Sequence, residues 1–392
     1  MALSVADALS RMAATRAAAI PIGSDEYRQR RAAAQQLMAA ARIDAMLLPA
    51  GASLRYFTGA DWHMLERFTG ALLPQAGEPA FVAPAFEEPR LTRTLPRDAR
   101  LLTWQEDQSP FAVCADQLRG WGRCTGTIAI DEACPYFVVR GLAQAAPQAA
   151  WTDAAAVAGA CRQCKSPAEI ALIRHAMQAT LEVQRLAREI LVEGMAAADV
   201  VDFLDKAHRA AGADGGSTFA IVAFGAETAH PHGPEQPQQL REGDLVLVDT
   251  GCQFHGYHAD LTRTYVFGAP TPRQREIWEL QRAAQQAGFE AIRVGAPCGV
   301  VDDAARDVLV RAGLGPDYRT PGLPHRTGHG IGLEIHERPY LVRGNAAPLL
   351  QGMCASIEPT VCIYGEFGVR QEDHFYLTDE GPRWFTQPPD AL

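Results

Sequence analysis

The 392-residue sequence predicts an α+β protein in two parts, a smaller N-terminal α/β domain over residues 1–160 and a larger domain over 161–392. In the first part, short apolar runs such as Ala45–Pro49 and Thr127–Asp131 alternate with polar, helix-like stretches, which is typical of an α/β unit. In the second part, long helical patterns alternate with extended segments but form no regular βαβ series. We therefore expect the extended segments to pair as antiparallel strands.

A strong helix-start signal marks the boundary between the two parts. Ser166 can cap a helix, Pro167 suits its first position, and Glu169 completes a capping box. Apolar residues then recur at helical spacing, so we expect a long helix at about 167–192. Further helices are expected at about 196–211, 271–293 and 301–312, and strands at Leu245–Asp249, Thr262–Phe267, Cys354–Ile357 and Val369–Leu377.

The composition excludes several classes of protein. A hydrophobic fraction of 47% and a charged fraction of 21% are globular values. The net charge of −10 argues against a nucleic-acid partner, which would need a concentrated basic surface. No apolar run approaches the ~20 residues that span a bilayer. Charged residues also interrupt the N-terminus where a signal peptide would be apolar, so we expect a cytoplasmic protein without a membrane partner.

Five potential metal ligands lie in the C-terminal half. Asp249 closes the apolar run LVLVD, and Asp260 follows it in the segment GYHADLTRTY. A turn in the stretch between them would place the two carboxylates side by side on paired strands. Three more candidates follow along the chain: His329 among glycines, Glu358 after an apolar run, and Glu372 in VRQEDHFYL.

Each of these acids, taken singly, is also explained as a turn residue or as part of a solvated ion pair. Asp260 fits that explanation less well, because β-forming residues flank it and a buried carboxylate needs a cation or hydrogen bonds. Four acids and one histidine together carry a charge of about −4. That charge is enough to hold two divalent ions that share bridging carboxylates.

The motifs around these residues resemble those of the creatinase/aminopeptidase P/prolidase family of metallopeptidases. VDTGCQFHGYHADLTRT, GHGIGLEIHE and IEPTVCIYGEFGVRQED follow one another in the family's order, and GAETAHPHG resembles a prolidase segment. The resemblance is strong over about 165–385 and fainter over 1–160. It implies a pita-bread catalytic domain, with helices packed on a curved antiparallel sheet. It is closest to a bacterial Xaa-Pro dipeptidase.

The resemblance also implies a dinuclear metal site. Asp249 would bind one ion, and Asp260 and Glu372 would bridge the pair. His329 and Glu358 would complete the second ion. The oxygen-rich ligand set favours Mn²⁺ and leaves Co²⁺, Fe²⁺ and Zn²⁺ open. A hydroxide between the ions would attack the carbonyl before proline, with Glu358 as general base.

Further residues receive roles only from the resemblance. His232 and His336 would contact the substrate carbonyl or the tetrahedral intermediate, and His325 would line the pocket for the proline ring. Arg370 would orient Glu372 and take part in substrate binding. Three other histidines are interpreted as structural or exposed: His255, His258 and His374.

The sequence departs from the family pattern in two places. Thr360 replaces the usual Gly, and Cys362 replaces a Tyr that ordinarily lies close to the reacting intermediate. The alternative is that Cys362 packs in the core as a small apolar residue. The arginine that prolidases use for the dipeptide carboxylate has no clean match. Arg338 and Arg343 are the candidates.

The leading interpretation is an Xaa-Pro dipeptidase that acts on small peptides, and the resemblance alone implies a homodimer. The alternatives are an aminopeptidase P that acts on longer peptides, a creatinase-like amidinohydrolase or a sulfonium lyase, since fold alone does not fix chemistry. Creatinases dispense with metals, whereas all five ligand types are kept here. A methionine aminopeptidase is disfavoured by the extra N-terminal domain. A non-catalytic binding module is disfavoured by the intact ligand set.

Overall fold

The computed structural model describes residues 2–96, 99–234 and 236–392, and these divide into two units. The larger unit combines Met1–Pro21 with Gln163–Leu392, and the smaller unit is Ile22–Arg162. This division differs from the predicted one at the N-terminus. Helix α1 (Val5–Arg11) belongs to the larger unit, because Ala8 is fully buried in one apolar cluster with residues of that unit.

The smaller unit contains a mixed six-stranded sheet in the order β4-β3-β2-β1-β5-β6. Its strands are β1 Ala45–Pro49, β2 Gly70–Pro74, β3 Ala80–Pro84, β4 Arg100–Trp104, β5 Thr127–Ile130 and β6 Ala150–Asp153. Its helices are α2 Ser24–Ala41, α3 Ala52–Thr58, α4 Glu88–Leu91, α5 Pro110–Gly120 and α6 Tyr136–Ala145, and α7 Ala160–Gln163 follows them. Sequence patterns predicted four of these strands and missed β2 and β6.

Four long helices organise the larger unit: α8 Pro167–Ile190, α9 Ala197–Ala211, α10 Pro272–Glu290 and α11 Gly299–Arg311. The predicted capping box at the start of α8 is confirmed. The Glu169 N–H donates to Ser166 Oγ at 3.2 Å, and the Ser166 N–H donates to Glu169 Oε2 at 3.0 Å. Within residues 2–96, 99–234 and 236–392, none of the helices combines the length and apolarity needed to cross a bilayer.

The strands of the larger unit form antiparallel sheets. One sheet has the order β10-β8-β7 with β9 paired to β8, a second has the order β12-β11-β13-β16-β17, and β14 pairs with β15. The bounds are β7 Ser217–Phe224, β8 Leu245–Phe254, β9 Tyr257–His258, β10 Leu261–Val266, β11 Gly328–Gly330, β12 Glu337–Leu341, β13 Cys354–Ile357, β14 Val361–Ile363, β15 Phe367–Val369, β16 Asp373–Thr378 and β17 Gly381–Trp384. The predicted α+β class is confirmed.

The strand predicted at Val369–Leu377 is wrong in its middle. β15 ends at Val369 and β16 begins at Asp373, so the three residues between them belong to neither strand. Their backbone is held by β10 instead, because the Glu372 N–H donates to the Thr262 carbonyl at 3.1 Å and the Arg370 N–H donates to Thr264 Oγ1 at 3.1 Å. The interruption falls at the predicted ligand Glu372.

Two glycines allow the short strand β11 to fit between its neighbours. A Cβ at Gly328 would lie 2.0 Å from the Ser356 carbonyl oxygen, and one at Gly330 would lie 2.3 Å from the Arg338 carbonyl oxygen. Only glycine tolerates such close approach of backbone on both sides. The glycines thereby seat His329 between β12 and β13.

Candidate metal centre

A cavity of about 530 Å³, here called the central cavity, lies within the larger unit. Both sheets contribute to it, since β7 and β8 come from one and β11 from the other. All five predicted metal ligands line it: Asp249, Asp260, His329, Glu358 and Glu372. The structure therefore brings together donors that are separated by up to 123 positions in the chain.

Asp249 lies on β8 and Asp260 lies just before its neighbour β10, so the two aspartates are not directly opposite each other. In the register of β8 and β10, Asp249 lies opposite Thr262, and Asp260 precedes the first residue of β10. Residues two apart on a strand share a face, so Asp260 still points toward the side of the sheet that carries Thr262. The predicted side-by-side pairing of the carboxylates is thus offset by two residues.

His329 stands at the centre of the acidic side chains. Its Nε2 atom lies 3.0 Å from Glu358 Oε1, 3.7 Å from Asp260 Oδ2 and 4.0 Å from Glu372 Oε1. Its other ring nitrogen, Nδ1, lies 3.1 Å from the Gly330 carbonyl oxygen and can only donate to it. In the neutral ring this leaves the Nε2 lone pair directed at the carboxylates, the orientation found in histidine ligands of metals.

The carboxylates are buried, and several of their oxygens receive no hydrogen bond. In the described part of the chain, Asp249 Oδ1, Asp260 Oδ1 and Glu372 Oε1 have no hydrogen-bond partner. Burial and then the neighbouring carboxylates raise the pKa of Asp260 and of Glu372 well above their ordinary values. Burial also raises the pKa of Asp249, although Arg370 opposes that shift. Such a cluster ionises fully only with cations, so these residues fit divalent metal ions.

Arg370 organises the carboxylates from one side of the central cavity. Its Nη2 donates to Asp249 Oδ2 at 2.6 Å, and its Nε donates to Thr262 Oγ1 at 2.9 Å. The Thr262 hydroxyl in turn donates to Glu372 Oε2 at 2.8 Å. Arg370 therefore reaches Glu372 through Thr262, and its direct partner is Asp249.

The three histidines with predicted substrate roles also line the central cavity: His232, His325 and His336. His336 packs edge-on against His329, with ring centroids 4.1 Å apart. Burial and the nearby His329 lower the pKa of His336 to about 4, so its ring is neutral at pH 7. His325 is fixed through both nitrogens, with Nδ1 2.7 Å from the Arg326 carbonyl oxygen and Nε2 2.8 Å from Thr360 Oγ1.

The two candidate arginines lie elsewhere. Arg338 is exposed on β12, and among the described residues it is not part of the cavity lining. Arg343 pairs with two surface acids, at 3.0 Å from Asp303 and 2.8 Å from Asp317. Neither position supports the substrate-binding role that the sequence suggested for Arg338.

The departures from the family pattern have different consequences. Cys362 is fully buried on β14, and burial raises the pKa of its thiol to about 11, so it acts as a packing residue. Thr360 supplies a hydroxyl to His325 that glycine would lack. Tyr364, which none of the sequence motifs indicated, lines the central cavity two residues beyond Cys362. Its neighbours Gly365 and Glu366 gave a turn signal that could have indicated an exposed phenol.

The chain resembles known proteins over nearly its whole length. Residues 171–379 match metallopeptidase family M24, and residues 30–164 match the creatinase/prolidase N-terminal domain. A probable dipeptidase, PepE, of Mycobacterium tuberculosis is 36% identical, over 91% of this chain and 94% of that one. An Xaa-Pro dipeptidase of Lactobacillus helveticus is 31% identical, over 87% of this chain and 92% of that one.

The fold of the chain is also similar to that of a solved dipeptidase structure. The crystal structure of dipeptidase PepE from Mycobacterium ulcerans superposes with a TM-score of 0.87 at 32% identity, over 95% of this chain and 99% of that one. The fold and its acidic centre define a metallopeptidase of the pita-bread type. The chain belongs to metallopeptidase family M24. The resemblance found in the sequence motifs is thereby confirmed.

Proposed function

We propose that the protein hydrolyses the peptide bond before proline in Xaa-Pro dipeptides, with two divalent metal ions held by the central cavity. The observation that carries the proposal is the convergence of His329 Nε2 with buried carboxylates whose oxygens lack partners. Relatives named dipeptidase and Xaa-Pro dipeptidase, at 36% and 31% identity, support the choice of substrate.

Asp249, Asp260 and Glu372 would hold the ions together with His329 and Glu358. When bound, the ions supply Lewis-acid polarisation of the carbonyl and make water more acidic. Mn²⁺ is the preferred metal, because four of the five ligand side chains are carboxylates. Arg370 keeps Asp249 in place directly and Glu372 through Thr262, so the ligand geometry is set before a metal enters.

The proton transfers fall to side chains of the cavity wall. The Glu358 carboxylate accepts the proton of the attacking water and returns it to the proline nitrogen as that nitrogen leaves. His336, neutral at pH 7, donates an N–H to the carbonyl oxygen as negative charge develops there. His232, exposed at the cavity edge, contacts the same carbonyl.

Substrate choice follows from the wall around His325. The peptide before proline has no N–H, so a site that recognises it depends on the shape of the ring more than on hydrogen bonds. Thr360 and the Arg326 carbonyl fix the His325 ring, which offers a rigid face to a proline side chain. We also propose a homodimer and a cytoplasmic location.

The test combines metal analysis with a substrate panel. Chelated enzyme should be inactive and should recover on addition of about two equivalents of Mn²⁺. Xaa-Pro dipeptides should be cleaved faster than matched Xaa-Ala dipeptides, Xaa-Pro tripeptides and creatine. Preference for the tripeptides would instead identify an aminopeptidase P, and metal binding without any hydrolysis would identify a binding module. Gel filtration with light scattering would test the dimer.

A further inference from the structure

His374 is a buried imidazole that lies close to the candidate ligands His329 and Glu372 but is not one of the five predicted ligands. It is fully buried on β16, two residues after Glu372. In the antiparallel register it lies opposite Ser356, whose hydroxyl donates to Glu358 Oε1 at 3.1 Å. Directly opposed residues point to the same face of a sheet. His374 therefore shares the face that carries the metal ligands.

Neither ring nitrogen of His374 has a hydrogen-bond partner among the described residues. Its Nε2 lies 4.0 Å from Glu372 Oε1, and it forms with Asp260 and Glu372 a fully buried group whose donor atoms all lie within 4.8 Å of one another. Asp260 Oδ1 and Glu372 Oε1 in this group lack partners as well. A buried polar group is normally satisfied, so four such atoms in one place indicate a missing occupant.

On the opposite face of β16, the neighbouring buried residue has its hydrogen bonds formed. The preceding residue, Asp373, is also fully buried, but it receives hydrogen bonds from Arg263 at 2.7 Å and from Thr386 at 2.8 Å. Asp373 thus has hydrogen-bond partners, whereas neither ring nitrogen of the adjacent His374 has one. Packing alone does not explain this difference. An imidazole nitrogen that engages no hydrogen-bond partner can ligate a metal ion.

We infer that His374 is a further ligand of the metal centre, donating a ring nitrogen to the ion that Asp260 and Glu372 hold. This inference rests on the proposed metal site and adds a second imidazole to it. Imidazole nitrogen favours later first-row ions such as Co²⁺ and Zn²⁺ over Mn²⁺. His374 is then the residue that shifts the preference of an otherwise oxygen-rich site toward those ions.

The experiment measures metal binding by the full-length, chelated protein, without any peptide. Co²⁺ and Mn²⁺ are titrated separately by calorimetry into wild type, His374→Phe and His374→Gln. His208→Gln is the matched control, since His208 is an equally buried imidazole whose nitrogens are bonded to Ser217 and Thr180. The visible absorption of bound Co²⁺ reports its ligands directly.

Both His374 variants should lose Co²⁺ affinity by at least ~10-fold, the loss typical of removing even an outer-shell partner. The loss for Mn²⁺ should be smaller, the Co²⁺ absorption band should shift, and His208→Gln should match wild type. Wild-type behaviour of His374→Gln would overturn the inference, because an amide replaces a hydrogen bond but is a poor ligand in place of imidazole. Wild-type affinity and spectrum in His374→Phe would overturn it too.

Pulsed electron paramagnetic resonance of Mn²⁺ bound to the wild-type protein covers the case in which the variants do not fold. Coupling to at least two imidazole nitrogens is expected, and coupling to a single one would contradict the inference. A wild-type protein that binds no divalent ion would contradict the proposed function itself. Tight wild-type binding with unchanged variants would contradict only the role of His374.

Discussion

Lys165 and Glu337 form an ion pair of 2.7 Å between side chains that are only 1% and 8% exposed. Lys165 is one of only two lysines in the sequence, and it directly precedes the capping residue of α8. Glu337 directly follows His336. The pair also encloses Gly332, where a Cβ would lie 2.5 Å from Glu337 Oε1. The pair thus holds the residue next to His336, which lines the central cavity.

Breaking this pair should destabilise the protein more than deleting it altogether. Lys165→Met alone removes the buried cation that faces the Glu337 carboxylate, and we expect a loss of about 3–5 kcal/mol in the free energy of unfolding. The double variant Lys165→Met/Glu337→Leu should be within ~1 kcal/mol of wild type, because two apolar groups replace two charges. Urea unfolding checks both values. A double variant as unstable as the single one would show that the charges themselves are required.

The hydroxyl of Thr360 should control substrate affinity through His325. Nδ1 of His325 donates to the Arg326 carbonyl, so in the neutral ring Nε2 accepts from Thr360. Thr360→Val removes that donor at nearly constant volume, and we expect KM for an Xaa-Pro dipeptide to rise several-fold with little change in kcat. Thr360→Ser keeps the hydroxyl and should behave as wild type. Equal kinetics in the Val and Ser variants would separate His325 from substrate binding.

Removal of a bridging charge should reduce metal content. Asp260→Asn or Glu372→Gln leaves the site with one negative charge fewer, so we expect less bound Mn²⁺ after dialysis than in wild type, measured by mass spectrometry of the metal. Asp303→Asn is the control, because Asp303 pairs with Arg343 on the surface. Full metal content in both site variants would contradict their assignment as bridging ligands.

His336→Ala should have the opposite phenotype, with metal retained and turnover lost. Its proposed N–H contact forms mainly as charge develops on the carbonyl oxygen, so kcat should fall by about 10²–10³-fold, as for loss of one such donor. KM should change little. Steady-state kinetics and metal analysis on the same preparation measure both. A variant that loses its metal would identify His336 as a ligand instead.

His208 should make the protein less stable in mild acid. Burial lowers the pKa of His208 to about 4, against an ordinary value of about 6.5. Above pH 6.5 both folded and unfolded states hold it neutral. As the pH falls from 6.5 toward 4, the unfolded state takes up the proton first, so stability declines, by roughly 3 kcal/mol over the whole range. Urea unfolding at pH 7.5 and pH 5 should show a steeper loss in wild type than in His208→Gln, and parallel losses would exclude this titration.

The sequence by itself determined the helix starts and indicated the candidate metal ligands. The capping boxes at Ser166 and Thr271 were readable because capping joins residues three apart, and the structure reproduces both. The five candidate ligands could be named because the short motifs around them resemble those of a known family. Strands β2 and β6 could not be predicted from the sequence. A segment of four or five residues without alternating polar and apolar residues has no clear strand pattern, so only pairing with neighbouring strands defines it.

Tertiary structure alone decided which side chains meet. Arg370 reaches Asp249 across 121 positions, and the strand break that allows it arises from hydrogen bonds to β10. Cys362 is buried in the pair of β14 and β15, and Tyr364 lines the central cavity. The pairing of β13 with β16 buries His374, interpreted from sequence as structural or exposed, close to His329. A side chain's direction depends on strand register, and a shift of one residue reverses it. Register is set by partners far away in the chain, which no local pattern contains.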